Sequence, residues 1–452
     1  MPKTQPSLSP NRWSRLLSSD QSQAALASIL EIASELQSAL KEGRHRTQAN
    51  PSEPRANGPQ LGNGAAGIAV FFAYMEKAGL LPGARELALA YLDIAVQAAA
   101  NQYMGPSLFG GFTGIGWSVE HVAGMVSQSP EDLSEIDGAV EQYVSHSPWK
   151  EDYDLISGLV GVGVYCLERT GSPVAMRSLG LIIDRLYESA ERSEDDVRWH
   201  TDPRLLFFQQ REEFPEGYYN VGVAHGIPGI IALLARCCTA DIAAEANDKA
   251  RWLLERSVNW LLRQKLPATC RSTYPPFFAY NLQPQDCRVA WCYGDAGVAA
   301  TLMLAARHSD SAKKDLWEKE AIALARRAAS RTMEQSGVVD ACFCHGSAGL
   351  AHLYNRFYQA TRDDGFFQAA CYWVDRTLQY REPGRGAAGY SVVTADDDGK
   401  TIVAGRLNII EGIAGIGLTL LAAITDIEPR WDRVFLADIP MAARIGIDHA
   451  AD

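Results

Sequence analysis

The sequence predicts an all-α protein whose helices close into an α/α toroid, an inner ring of seven helices wrapped by an outer ring of seven. Two observations carry this expectation. A Gly-x-x-Gly turn begins at Gly64, Gly111, Gly158, Gly226, Gly294, Gly346 and Gly412, in steps of 47, 47, 68, 68, 52 and 66 residues. One unit at uneven spacing marks an internal repeat with loop insertions. Each turn also runs straight into an apolar stretch, such as Ile-Ile-Ala-Leu-Leu after Gly229, whereas the segments between turns are amphipathic. A helix apolar all round belongs in the interior and an amphipathic one outside. Seven such pairs close most economically as two concentric rings, with an open solenoid as the alternative.

Taken in order, residues 1–20 read as a mobile tail ahead of a single toroid domain over 21–452. Residues 21–42 space their apolar positions every three or four and predict a helix. Residues 43–62 are rich in Pro, Asn and Gly and predict a loop. More polar helices are expected over 83–101, 174–191, 243–264 and 313–334. Insertions interrupt the pattern at 196–220 and 268–290, both read as loops too short for a second domain. Residues 389–405 alternate around an Asp-Gly pair, a hairpin signal. Glycine lets a helix start pack closely on its neighbour and permits the turn before it, so the seven turns are expected at one end of the ring.

The 452 residues are 47% hydrophobic, enough for a sizeable core, and carry a formal charge of −12. That balance argues against nucleic acid as the main partner, since phosphate binding needs a basic face. No stretch reaches the length of uncharged apolar residues that a membrane span requires, and Met1 to Arg15 lacks an apolar signal core. Nine cysteines without framework spacing fit a reducing cytoplasm, with thiols free or metal-bound. Cys166, Cys237 and Cys238 lie in or beside apolar helical runs and read as core, whereas Cys270, Cys287, Cys342 and Cys371 have no clear role.

The chemistry concentrates just before the turns. Cys292 stands two residues before Gly294, and Cys344 and His345 stand two and one before Gly346. Two thiols and an imidazole suit a soft ion such as Zn2+, and three protein ligands leave a fourth position open. The plainer reading makes them small buried hydrophobes and a core histidine. The repeat register favours the metal. His225 directly precedes Gly226, and Asp154 lies four residues before Gly158, so turns sharing one rim bring all five residues to one mouth. Asn63, Gly110 and Glu411 hold the position before the turn in repeats one, two and seven. Taken alone, His225 reads as a helix cap, Asp154 as a partner for a surface cation, Arg288 as a solvated loop charge, and Glu411 as a helix-dipole complement. His45, His121, His146, His200, His308, His352 and His449 have no motif around them and are not expected to be ligands.

Together, Arg288-Val-Ala-Trp-Cys-Tyr-Gly294, Cys344-His-Gly346, Ala224-His-Gly226 and Tyr153-Asp-Leu-Ile-Ser-Gly158 resemble the lanthipeptide cyclases, the LanC-like family. The resemblance covers nearly the whole chain, because the seven glycine turns belong to it. It implies an α/α barrel with a central zinc held by Cys292, Cys344 and His345, and acid/base work by His225 and Asp154 with Arg288 beside them. It also implies a reaction: Michael-type addition of peptide Cys thiols to dehydroalanine or dehydrobutyrine in a dehydrated precursor peptide, which closes thioether rings. A dehydratase and an export transporter are implied partners, and the expected location is the cytoplasm, associated with a membrane-bound complex. Ala296 stands where family members often have Pro. Tyr293 after Cys292 is similar to the bacterial cyclases rather than to relatives that join glutathione to dehydrated residues.

The chemistry fits the residue types. A free thiol has a pKa near ~8.5 and is mostly protonated at neutral pH, and coordination to zinc removes that proton. Attack on the β-carbon leaves an enolate, and a histidine suits proton delivery to the α-carbon. Three alternatives remain open at this point: glutathione addition to dehydroamino acids in proteins, a non-catalytic zinc scaffold, and a toroidal carbohydrate-active enzyme using Asp154 and Glu411.

Overall fold

The computed structural model describes residues 12–43, 58–126, 131–206, 208–279, 282–283, 285–395 and 401–441. Seven inner helices follow the seven glycine turns: Ala65–Ala78, Phe112–Ala123, Leu159–Glu168, Ile227–Cys237, Asp295–His308, Ser347–Thr361 and Ile413–Ile424. Each packs on the next and the last packs on the first, so the ring is closed. These helices are buried on all sides, as their composition requires; every residue from Ser347 to Ala360 is buried.

Six outer helices follow their inner partners: Ala84–Asn101, Ser134–Val144, Pro173–Ser189, Ala244–Arg263, Lys314–Ala329 and Asp364–Gln379. Their apolar residues form a stripe; Ala175, Leu179, Ile182, Ile183 and Leu186 are the buried face of Pro173–Ser189. The seventh outer helix is the chain's first, Ser19–Lys41, which packs on the last inner helix, Ile413–Ile424. Part of the stretch expected as a tail over residues 1–20 is packed on this helix. Trp13, Leu16 and Leu17 are buried, Trp13 Nε1 donates to the Ala422 carbonyl at 2.9 Å, and Leu16 N donates to the Ala423 carbonyl at 2.8 Å. Apolar side chains beside an open helix end bury there rather than remain in water. Residues 1–11, most of the loop expected at 43–62, and His45 and His449 lie outside the described residues.

The first residues of the inner helices lack side-chain caps. In five of the seven repeats the first free N–H is satisfied instead by the loop that precedes the helix, which folds back seven residues. Ala65 N donates to Gly58 O, Phe112 N to Gly105 O, Leu159 N to Asp152 O, Ser347 N to Asp340 O and Ile413 N to Arg406 O. This fold-back explains the second glycine of each turn. A Cβ there would lie 1.8–2.5 Å from the carbonyl oxygen six residues earlier in all seven repeats, from Leu61 O at Gly67 to Ile409 O at Gly415. No side chain fits such an approach.

The insertions at 196–220 and 268–290 pack on each other. Tyr219–Asn220 pairs antiparallel with Phe277–Phe278, and Leu206, Phe214 and Tyr218 form a small separate cluster with Phe277 and Ala279. The expected hairpin is present: Val392–Ala395 pairs with Thr401–Ala404, its turn lying outside the described residues.

After the last inner helix, a 3-10 turn, Arg430–Phe435, enters the ring. Trp431 N donates to Tyr74 Oη at 3.0 Å, and Phe435 O accepts from Trp291 Nε1 at 2.8 Å. Phe435 also packs on Phe109 and Phe343, Arg433 pairs with Glu168, and Asp438 pairs with Arg236. A segment that touches six of the seven repeats must cross the ring's axis, and it closes one end of the barrel. Its anchor is Asp432, fully buried, which accepts from Arg356 Nε (2.6 Å), Arg356 Nη2 (2.9 Å) and His352 Nε2 (2.7 Å).

Burial alone would raise the Asp432 carboxyl pKa, but Arg356 and His352 hold it below the ordinary carboxylate range. Its stabilising contribution is therefore present above the unfolded carboxyl pKa and is lost as pH falls through the depressed folded value. Asp432→Asn leaves Arg356 buried without its counter-charge and is expected to cost about 3–5 kcal/mol. Denaturant unfolding at neutral pH measures that loss, and the variant should lack the acid-side decline that Asp432 gives the wild type.

Candidate metal centre and proton-transfer pair

The fold-back sets a strict register at the rim, and successive repeats are tied there by backbone hydrogen bonds. Leu155 N donates to Ala224 O (3.2 Å), Val223 N to Cys292 O (2.9 Å), Cys292 N to Cys344 O (3.2 Å) and Cys344 N to Ile410 O (2.9 Å). Cys292 and Cys344 hold the same register position, five residues before the second glycine. One position on stand Ser157, His225, Tyr293, His345 and Glu411 in repeats three to seven. The residues singled out from sequence thus occupy four consecutive repeats of one rim.

The ligand atoms of Cys292, Cys344 and His345 lie within 4.8 Å of one another. The Cys344 thiol donates to Cys292 sulfur and draws the Cys292 pKa down to about 5; burial opposes this, while His345 and the charge of Arg288 assist. The Cys344 thiol is correspondingly pushed up by holding that proton and by burial. Two soft sulfurs, one with its pKa drawn down, and one imidazole are a donor set that fits zinc.

His225 Nδ1 lies 2.6 Å from Asp154 Oδ2. The other carboxylate oxygen of Asp154 accepts from Ser157 N (2.7 Å) and Gly158 N (3.1 Å), so the carboxylate is fixed by its own turn. The His225 side chain is 44% exposed and Asp154 is 11% exposed, which puts the imidazole toward the mouth and its carboxylate behind it. Burial lowers the His225 pKa, but the bond to Asp154 and its charge outweigh this, and the net shift is upward. Arg288 is exposed, and its charge acts on Cys292 and His345. Among the described residues it makes no hydrogen bond to Asp154.

Other residues at the rim were not singled out from the sequence. Tyr293 stacks beside His225 with ring centroids 6.4 Å apart, and its hydroxyl accepts from Asn220 Nδ2 at 2.9 Å. The Asp152 carboxyl is raised to about 6 by burial and by the charge of Asp154, with His225 opposing. Asp340 lies behind His345. The signal for these was available in the register: Asp152, Asn220, Arg288, Asp340 and Arg406 each stand nine residues before a second glycine. Two of the histidines set aside are held elsewhere. His121 lies between Tyr74 and Glu168, and His352 binds Asp432.

Residues 55–436 match the family described as Lanthionine synthetase C-like protein. The chain belongs to that family. A curated relative, the nisin biosynthesis protein NisC of Lactococcus lactis subsp. lactis, is 23% identical over 283 residues; that match covers 58% of this chain and 65% of NisC. The solved structure of nisin cyclase superposes with a TM-score of 0.68 at 18% identity, covering 90% of this chain and 97% of that one. The structural match supports the toroid. Among the described residues no helix is long and apolar enough to cross a membrane.

The upward shift of His225 depends on Asp154. In Asp154→Asn the His225 pKa is expected to fall, as followed by NMR titration of the imidazole. An unchanged value would mean that the carboxylate does not control the proton on His225.

Proposed function

We propose that this protein is a zinc-dependent lanthipeptide cyclase that adds peptide Cys thiols to dehydroalanine or dehydrobutyrine and so closes thioether rings. The observation that carries the reading is the placement, on four consecutive repeats, of a sulfur-rich donor triplet beside a His–Asp pair. When bound by Cys292, Cys344 and His345, zinc supplies the Lewis acidity that favours the thiolate form of a peptide Cys.

The remaining work falls to side chains. Addition forms the C–S bond at the β-carbon and leaves an enolate, which takes a proton at the α-carbon. His225 is the proposed donor. Its raised pKa keeps more of it protonated near neutrality, Asp154 fixes the ring through Nδ1, and the exposed side of the ring faces the mouth. Tyr293 restricts the ring plane by stacking. Arg288, exposed and unpaired with Asp154, is free to turn toward the enolate oxygen. The thiol loses one proton and the α-carbon gains one, so a turnover leaves the proton count unchanged.

Dehydroamino acids must be made first, so the proposed substrate is the product of a dehydratase acting on a precursor peptide. We place the enzyme in the cytoplasm, beside that dehydratase and an exporter. The carbohydrate reading is disfavoured because Asp154 is committed to His225 and Glu411 lies 3.9 Å from Arg406.

The test measures zinc content and ring closure together on a dehydrated Cys-containing peptide, with thiol alkylation and mass spectrometry reporting the free thiol. Wild type should hold one zinc and consume the thiol, and Cys344→Ala should lose both. His225→Ala should keep the metal and slow closure by about 10²–10⁴-fold. Bound zinc with no reaction on any dehydrated peptide would point to a scaffold instead.

A further inference from the structure

Asp340 is buried, with 2% of its side chain exposed, on the loop that folds back before the sixth inner helix. Buried carboxylates require partners, and this one has them. Oδ1 accepts from Cys342 N at 3.0 Å, Oδ2 accepts from Val393 N at 3.0 Å, and Oδ2 lies 3.8 Å from His345 Nε2. Its backbone carbonyl caps the helix that follows His345, through Ser347 N at 3.0 Å. One residue therefore reaches the helix start, the imidazole and the hairpin strand Val392–Ala395.

A histidine that binds a metal through one ring nitrogen is oriented by what the other nitrogen faces. Here Nε2 faces a carboxylate that two backbone N–H groups hold in place. Asp340 also shares its register position with Arg288, so both residues that bear on the donor triplet from behind project from the same point of neighbouring loops.

We propose that Asp340 is a positioning residue for the metal centre: by presenting its carboxylate to His345 Nε2, 3.8 Å away, it leaves Nδ1 as the nitrogen for the metal, and it ties that orientation to the hairpin through Val393. The proposal rests on the zinc reading above.

The test uses the full-length protein. Zinc affinity is measured by competition with a chromophoric chelator for wild type, Asp340→Asn and Asp340→Glu, together with the melting temperature of each metal-free protein. Asp340→Asn keeps the size and loses the charge. It is expected to weaken zinc binding about 10–100-fold while the metal-free melting temperature stays near that of wild type, and Asp340→Glu should recover part of the affinity. Equal affinity in wild type and Asp340→Asn overturns the proposal, as does a loss that only tracks a fall in the metal-free melting temperature. If Asp340→Asn does not fold, Val393→Pro, which removes one N–H holding the carboxylate, is read in its place. Weaker zinc binding in that variant supports the proposal and unchanged binding overturns it. A wild type that binds no zinc overturns both this inference and the proposed function. Tight zinc binding that depends on Asp340, without ring closure, counts against the reaction alone.

Discussion

Each inner helix begins under its own loop. The loop folds back so that in most repeats its carbonyls take the helix's first N–H groups, and in all seven the chain passes so close to the helix that only glycine fits beneath it. A buried helix start needs such partners, because unpaired N–H groups away from water are costly. The same solution repeated seven times fixes where each preceding residue must lie. The rim positions, the backbone links between neighbouring loops and the meeting of Cys292 with Cys344 all follow from that local constraint.

The site then divides its work along an arc. Sulfur and imidazole donors occupy the fifth and sixth repeats, deep enough for one thiol to hold the other as a thiolate. The His–Asp pair sits on the third and fourth, with the imidazole nearer solvent. A protected charge and an accessible proton are opposite demands, and neighbouring repeats meet them by different substitutions at the same register positions. The floor beneath is the chain's own C-terminal segment, held by a buried carboxylate bound to Arg356 and His352.

Much of this was legible in the sequence because the repeat is carried by glycines, which cannot be replaced where backbone touches backbone. The ring, its two layers and the meeting of Cys292, Cys344, His345, His225 and Asp154 follow from counting back from those glycines, and the hairpin from alternation around an Asp-Gly pair. Which group Arg288 meets depends on side-chain reach, which register does not encode. Asp340 sits at a countable position, yet nothing in its local motif marks it. Trp13, Leu16 and Leu17 precede the first helix in a polar stretch, and only the open end of the last inner helix gives them a place to be buried. The C-terminal plug likewise depends on contacts with six repeats distant in sequence.

The chain's first helix serves its last repeat. An open solenoid grows by adding units to an end, and each unit is stable on arrival. This ring cannot be assembled that way. The bond from Trp13 to Ala422 joins residues 409 apart, so the last inner helix has no outer partner until both termini of the fold are present. Contacts of such sequence separation are late and slow to form. During synthesis Cys292, Cys344 and His345 emerge before the floor and the seam that complete their surroundings. A nascent or truncated chain thus presents reactive thiols without the finished enclosure, and the commitment to a full-length ring also governs when those thiols become a protected donor set.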